Sequence, residues 1–234
     1  MKQILLTMVI TAFLMGNPLW GQAADMQKFI QETQRVEQGE KTFRLVWWIP
    51  TEYWKESFRE LPGVTEDQKR EFYEAVGDYI VLSVIDAKTT AFGSLIPTPK
   101  EGIVSMLSLT IGQGKVMKPL SDSEVSSNAR NLFAMMKPVL SSMLGQFGQG
   151  MEFICFRNIN PEGKKLLDPL GNGSFSVSLG NSAYRWRLPL GSLLSPKYDP
   201  QTGEEFPGNY IYNPFTGSML GTAPPNKALG SETK

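Results

Sequence analysis

Histidine is absent from the chain and cysteine occurs once, at Cys155. The first absence removes Ser-His-Asp and Cys-His catalysis, histidine proton shuttles and histidine-containing zinc sites. The second removes any intramolecular disulfide. Net charge is missing as well: 23 basic residues balance 23 acidic ones, so no positive field exists to draw in nucleic acid. The chain also lacks a phosphate-cradling P-loop, a Gly-x-Gly-x-x-Gly turn and a Gly-x-Ser-x-Gly nucleophile elbow. No catalytic residue, cofactor site or metal site is therefore assigned from motifs.

What is present begins with a composition that is 41% hydrophobic and 11% aromatic over 234 residues, which is that of a folded protein. Lys2, an apolar run from Ile4 to Met15, a Gly-Asn-Pro break and the small residues around Ala23 form the pattern of a secretory signal peptide over 1–23. The run is shorter than the ~20 residues a bilayer-spanning helix needs, and no later segment is apolar enough, so the expectation is an exported, soluble product, periplasmic or secreted. Cys155 alternates with large apolar residues in Met151–Arg157 and reads as a buried small hydrophobe.

Residues 25–194 read as an α+β body. Apolar residues at helical spacing predict helices over 25–38, 51–61 and 66–76, and a long one after Ser121 that Pro138 should kink or divide. Ser121 with Glu124, and Thr65 with Gln68, have capping-box spacing. Alternating or continuous apolar runs predict strands over 42–49, 79–86, 103–111, 151–157 and a hairpin turning at Gly180-Asn181, with 88–102 as a loop. Together they make a largely antiparallel sheet of about six strands with helices packed on it.

After Leu194 the composition shifts to Pro, Gly, Tyr, Asn and Thr, and a short repeat appears. Tyr198-Asp-Pro-Gln-Thr-Gly203 and Tyr212-Asn-Pro-Phe-Thr-Gly217 match at five of six positions if Asp and Asn are taken as equivalent. The glycine closing each suits a left-handed backbone. This frame, over about 197–220, resembles a zinc ribbon, whose two Cys-Pro-x-Cys-Gly knuckles give four thiolates to one Zn²⁺. Asp199, Thr202, Asn213 and Thr216 stand where that family has cysteine. The resemblance implies two adjacent knuckle turns over 195–222, and the loss of every thiolate implies that packing replaces the metal. Three readings of the tail follow: a ribbon held by Tyr198, Phe206, Tyr210, Tyr212 and Phe215; a Ca²⁺ site from Asp199, Glu204 and Glu205; or a partner-binding appendage, with 223–234 a disordered end.

Two further groups are candidate ligand contacts. Trp48 and Trp54 could stack on a sugar, and Arg185 and Arg187 share the polar side of the last hairpin strand, where they could grip a carboxylate. The function expected from all this is a non-enzymatic binding or interaction module for a protein or glycan partner. The competing expectation is a carboxylate-dependent hydrolase of a polysaccharide or envelope polymer, which would need two carboxylates facing one bond.

Overall fold

The computed structural model describes residues 20–59, 63–91 and 94–225, with side chains from Met26 onward. Most of the proposed signal peptide (1–23), the predicted helix end at 60–61 and the last nine residues of the 223–234 segment lie outside the described residues. The body is α+β. Its strands divide into two antiparallel sheets instead of one.

Helix α1 (Trp20–Thr33) leads directly into β1 (Gln34–Gln38), which pairs with β2 (Thr42–Trp48). The helix predicted over 25–38 therefore stops five residues early. Gln34-Arg-Val-Glu-Gln38 has little apolar surface to hold a helical face, and a strand can use the edge of β2 for its backbone hydrogen bonds. Helices α2 (Thr51–Phe58) and α3 (Glu66–Gly77) follow, the second opened by the expected capping box: Thr65 Oγ1 accepts from the Gln68 amide and Gln68 Oε1 accepts from the Thr65 amide. Strand β3 (Tyr79–Thr89) runs up the middle of sheet A, between β2 on one side and β4 (Leu95–Pro97) and β7 (Glu152–Arg157) on the other.

The stretch 88–111 departs most from expectation. Within it lie β4, a short helix α4 (Lys100–Met106) and β5 (Leu107–Ile111), so only the second half of the predicted strand is one. Sheet B has the order β6 (Lys115–Met117), β5, β8 (Gly173–Leu179), β9 (Ser182–Leu188). Helix α5 (Ser127–Met143) is capped by Ser126, whose hydroxyl accepts from the Ala129 amide, and it continues through Pro138 undivided. Ser121 does bond Glu124, but in a turn that precedes the helix.

The cross-strand register shows why the core is continuous. Phe43, Leu45 and Trp47 share a face of sheet A with Ser83, Ile85, Ala87 and Phe153, and this face meets the helices: Trp47 touches Tyr53 of α2 and Phe153 stacks on Phe133 of α5. The opposite face carries Val46, Trp48, Val84 and Leu82 and meets sheet B, where Trp48 packs edge-on against Phe175 and Phe175 stacks on Trp186. Covered on both faces, β2 and β3 bury nearly every side chain. The outer face of sheet B is mostly polar, carrying Ser108, Thr110, Ser174, Ser176, Ser178, Arg185 and Arg187.

Candidate functional site

The tail repeats one turn twice. In the first knuckle the Asp199 carbonyl accepts from the Gly203 amide (2.9 Å), and Asp199 Oδ1 accepts from the amides of Gln201 (2.9 Å) and Thr202 (3.0 Å). In the second, the Asn213 carbonyl accepts from the Gly217 amide (2.8 Å), and Asn213 Oδ1 accepts from the amides of Phe215 (2.9 Å) and Thr216 (3.3 Å). Gly203 and Gly217 both have φ 73°, a left-handed backbone that a side chain would strain. Proline at the second position of each turn has its φ already set.

The two knuckles face each other. Asn213 Nδ2 donates to Asp199 Oδ2 at 2.7 Å, and Ser218 Oγ donates to the same oxygen at 2.6 Å. Asp199 and Asn213 are 1% and 2% exposed. A buried carboxylate with four donors is satisfied without a cation. The Ser218 hydroxyl, then the Asn213 amide, then the amides of Thr202 and Gln201 hold the Asp199 carboxyl far below the usual carboxylate range. Thr202 and Thr216 do not join this contact. Both are exposed, and their hydroxyls accept from the amides of Glu204 and Ser218 inside their own knuckles. A zinc ion does not fit this donor set: the contact is a carboxylate already bonded to a carboxamide, and among the described residues no group of three His, Cys, Asp or Glu side chains could hold a metal.

Of the aromatic residues expected to hold the tail, Phe206 is buried and stacks with Tyr210. Tyr212 and Phe215 are exposed, at 58% and 82%. The tail meets the body through polar contacts: Asn209 donates to the Pro189 carbonyl, the Gly208 amide donates to the Gly191 carbonyl, and Lys28 of α1 pairs with Glu205. Just ahead of the tail, Glu32 of α1 accepts from the amides of Gly191 and Ser192 and from the Ser192 hydroxyl.

Trp48 and Trp54 are corrected from ligand contacts to core residues, at 2% and 1% exposure. Alternation separates Trp47 from Trp48, but both faces of β2 are covered, and Trp54 packs among Tyr53, Phe58 and Phe72. Neither can offer a ring to a sugar. Arg185 and Arg187 are exposed on β9, beside Ser174, Ser176 and Ser178 of β8.

Two other clusters gather ionisable groups. Arg44 joins sheet A to sheet B, donating to Asp86 Oδ1 (2.7 Å) and to Ser182 Oγ (2.8 Å), while Tyr184 donates to Glu37 (2.7 Å). Burial, then the bond to Glu37, raises the Tyr184 phenol, and the Ser182 and Tyr184 hydroxyls lower Glu37. A groove of about 230 Å³ lies between α5 and the outer edge of β7, with Phe153 and Cys155 in its lining. Burial pushes the Cys155 thiol up to about 12, against the pull of the Lys100 ammonium, so it is no nucleophile at neutral pH. Asp122 and Glu152 in the same lining are each held in an ion pair, by Lys100 and Lys137.

Comparison of the chain with protein-family models, with curated proteins and with solved structures finds no match.

Proposed function

We propose that this chain is an exported interaction module without catalytic chemistry, and that its contact surface is the apolar tip of the second tail knuckle. The tail is read as a zinc ribbon whose metal has been replaced by the Asp199–Asn213 contact. Outside the cytoplasm such a replacement has a physical rationale, since four clustered thiols risk oxidation there.

The observation that carries the reading is internal to the repeat. The first knuckle shows which residues the turn itself requires. At Lys197, Gln201 and Glu205 it carries polar side chains, and the equivalent positions of the second knuckle are Ile211, Phe215 and Met219. These three are 57%, 82% and 68% exposed. Phe206 and Leu220, by contrast, are equivalent and both buried, so the scaffold keeps its apolar anchor in each copy. Folding thus accounts for the anchors and leaves the exposed apolar set unexplained, whereas a protein partner with an apolar pocket explains it. Tyr212, also exposed, is bridged to Met219 and stands beside it.

The hydrolase reading has less support. The carboxylates Asp122 and Glu152 are tied to lysines and Asp86 to Arg44, with Glu37 beside Arg44. The hydrolase needs an unencumbered pair across a cleft.

Photo-crosslinking tests the proposal in the organism that makes the protein. A benzophenone side chain at Phe215 is expected to give a discrete adduct, and the same group at the equivalent Gln201 is expected to give none. Replacing Ile211→Lys, Phe215→Gln and Met219→Glu together should change unfolding free energy by no more than about 0.5 kcal/mol per substitution, the usual scale of surface changes, while abolishing the adduct. Equal labelling from both knuckles, or from neither, overturns the reading.

A further inference from the structure

We infer that the groove beside β7 receives a short extended peptide carrying an acidic side chain, which adds a strand to the open edge of sheet A. The site is separate from the tail tip and does not depend on it.

Strand alternation identifies the open groups. The Ile49 amide bonds the Val81 carbonyl on the β2 side, so Ile80, Leu82 and Val84 turn their backbone groups toward β7 and engage Phe156, Ile154 and Glu152. Phe153 and Cys155 then point theirs outward. One of those outward groups is already used: the Cys155 carbonyl accepts from the Leu120 amide at 2.8 Å. Among the described residues nothing pairs with the amide or carbonyl of Phe153, or with the amide of Cys155. An edge with three open groups, on a strand whose side chains are mostly buried, is a template for one more strand.

The groove follows this edge and sets the size and character of the occupant. Val104, Leu120, Val125, Phe133 and Ala134 line it. Its volume of about 230 Å³ is too small for a helix and suits side chains of an extended chain lying along the edge. Apolar walls suit the side chains that flank an inserted strand.

Charge selects the remaining feature. Lys100 pairs with Asp122 and Lys137 with Glu152, each at 2.6 Å, so the charge of both lysines in the lining is matched within the groove. Arg130, exposed at the rim, donates one terminal nitrogen to the carbonyls of Asp122 and Val125 and meets no carboxylate among the described residues. Its other nitrogens give the groove one unmatched positive charge with the geometry to grip a carboxylate.

The probe is the capped pentapeptide acetyl-Val-Val-Glu-Val-Val-amide, titrated into the ¹⁵N-labelled full chain. The amides of Phe153 and Cys155 are expected to shift and saturate. A version with its central amides N-methylated should not bind, and a version with Gln for Glu should bind about fivefold more weakly, reflecting one charge-assisted contact. That fivefold difference should vanish in Arg130→Gln. Since Arg130 also supports the preceding turn, Ala134→Phe, at an exposed position on the wall, provides a second test and should block binding. No shift at Phe153 and Cys155 up to ~10 mM peptide, a free energy of about −2.7 kcal/mol, or equal binding of the N-methylated version, overturns the inference.

Discussion

Asp199→Ala is expected to open the tail while leaving the body folded. The substitution strips an acceptor from four donors at once: the amides of Gln201 and Thr202, the Asn213 carboxamide and the Ser218 hydroxyl. Limited proteolysis should show cleavage within 195–222 accelerated by about tenfold or more, because cutting follows the population of the open form. The thermal transition of the body should persist. A role exchange sharpens the test: Asp199→Asn alone sets two carboxamide NH₂ groups against each other, whereas adding Asn213→Asp restores one donor facing one acceptor and should recover much of the protection. Acid should act like the first variant. The folded Asp199 carboxyl lies below its unfolded value of about 3.9, so its contribution is fully present above that pH and declines as pH falls through and below it. Tail cleavage should therefore rise below about pH 4, the unfolded carboxylate value, and not at higher pH.

Trp48→Ala should cost about 3–5 kcal/mol, the range for removing a large aromatic side chain from a packed core. Trp48 sits between the two sheets with its ring 4.8 Å from Phe175, and the cavity would lie where they meet. Denaturant unfolding measures it as a lower midpoint with unchanged slope. The other tryptophans of the cluster should respond differently to Phe. Trp54 Nε1 has no hydrogen-bond partner, so Trp54→Phe gives up only volume. Trp47 Nε1 donates to Thr33 Oγ1 at 3.1 Å, so Trp47→Phe also leaves the buried hydroxyl of Thr33 without that donor and should cost more.

Those tryptophans mark a boundary of what the sequence discloses. Alternation shows that Trp47 and Trp48 point to opposite faces, but whether a second sheet covers the far face is a long-range fact that no local pattern carries. The β8–β9 hairpin was legible because its alternation and its Gly180-Asn181 turn agree, with Gly180 supplying the positive φ. β1 was not legible, since five mostly polar residues become a strand only through the edge of β2. Leu107 likewise starts a strand because sheet B offers a partner, while Ile103 just before it is buried in a helix. In the tail, the repeat announced both knuckles. Which of the four positions would meet was hidden, because Thr202 and Thr216 have local amides to bond and Asp199 and Asn213 have oxygens and an amide left over. The groove beside β7 was invisible for a simpler reason: an open edge is the absence of a neighbour.

Amide hydrogen exchange on the unmodified chain, metal-stripped with a chelator, bears most directly on the claim that a carboxylate–carboxamide contact does the work of a metal. The amides of Gln201, Thr202, Phe215 and Thr216 bond the two side chains at the centre of the contact. They are expected to be protected at neutral pH, unchanged by added Zn²⁺, and as slow as other hydrogen-bonded turns of the body. Exchange at unfolded-chain rates, or protection that appears only when Zn²⁺ is added, would contradict the account.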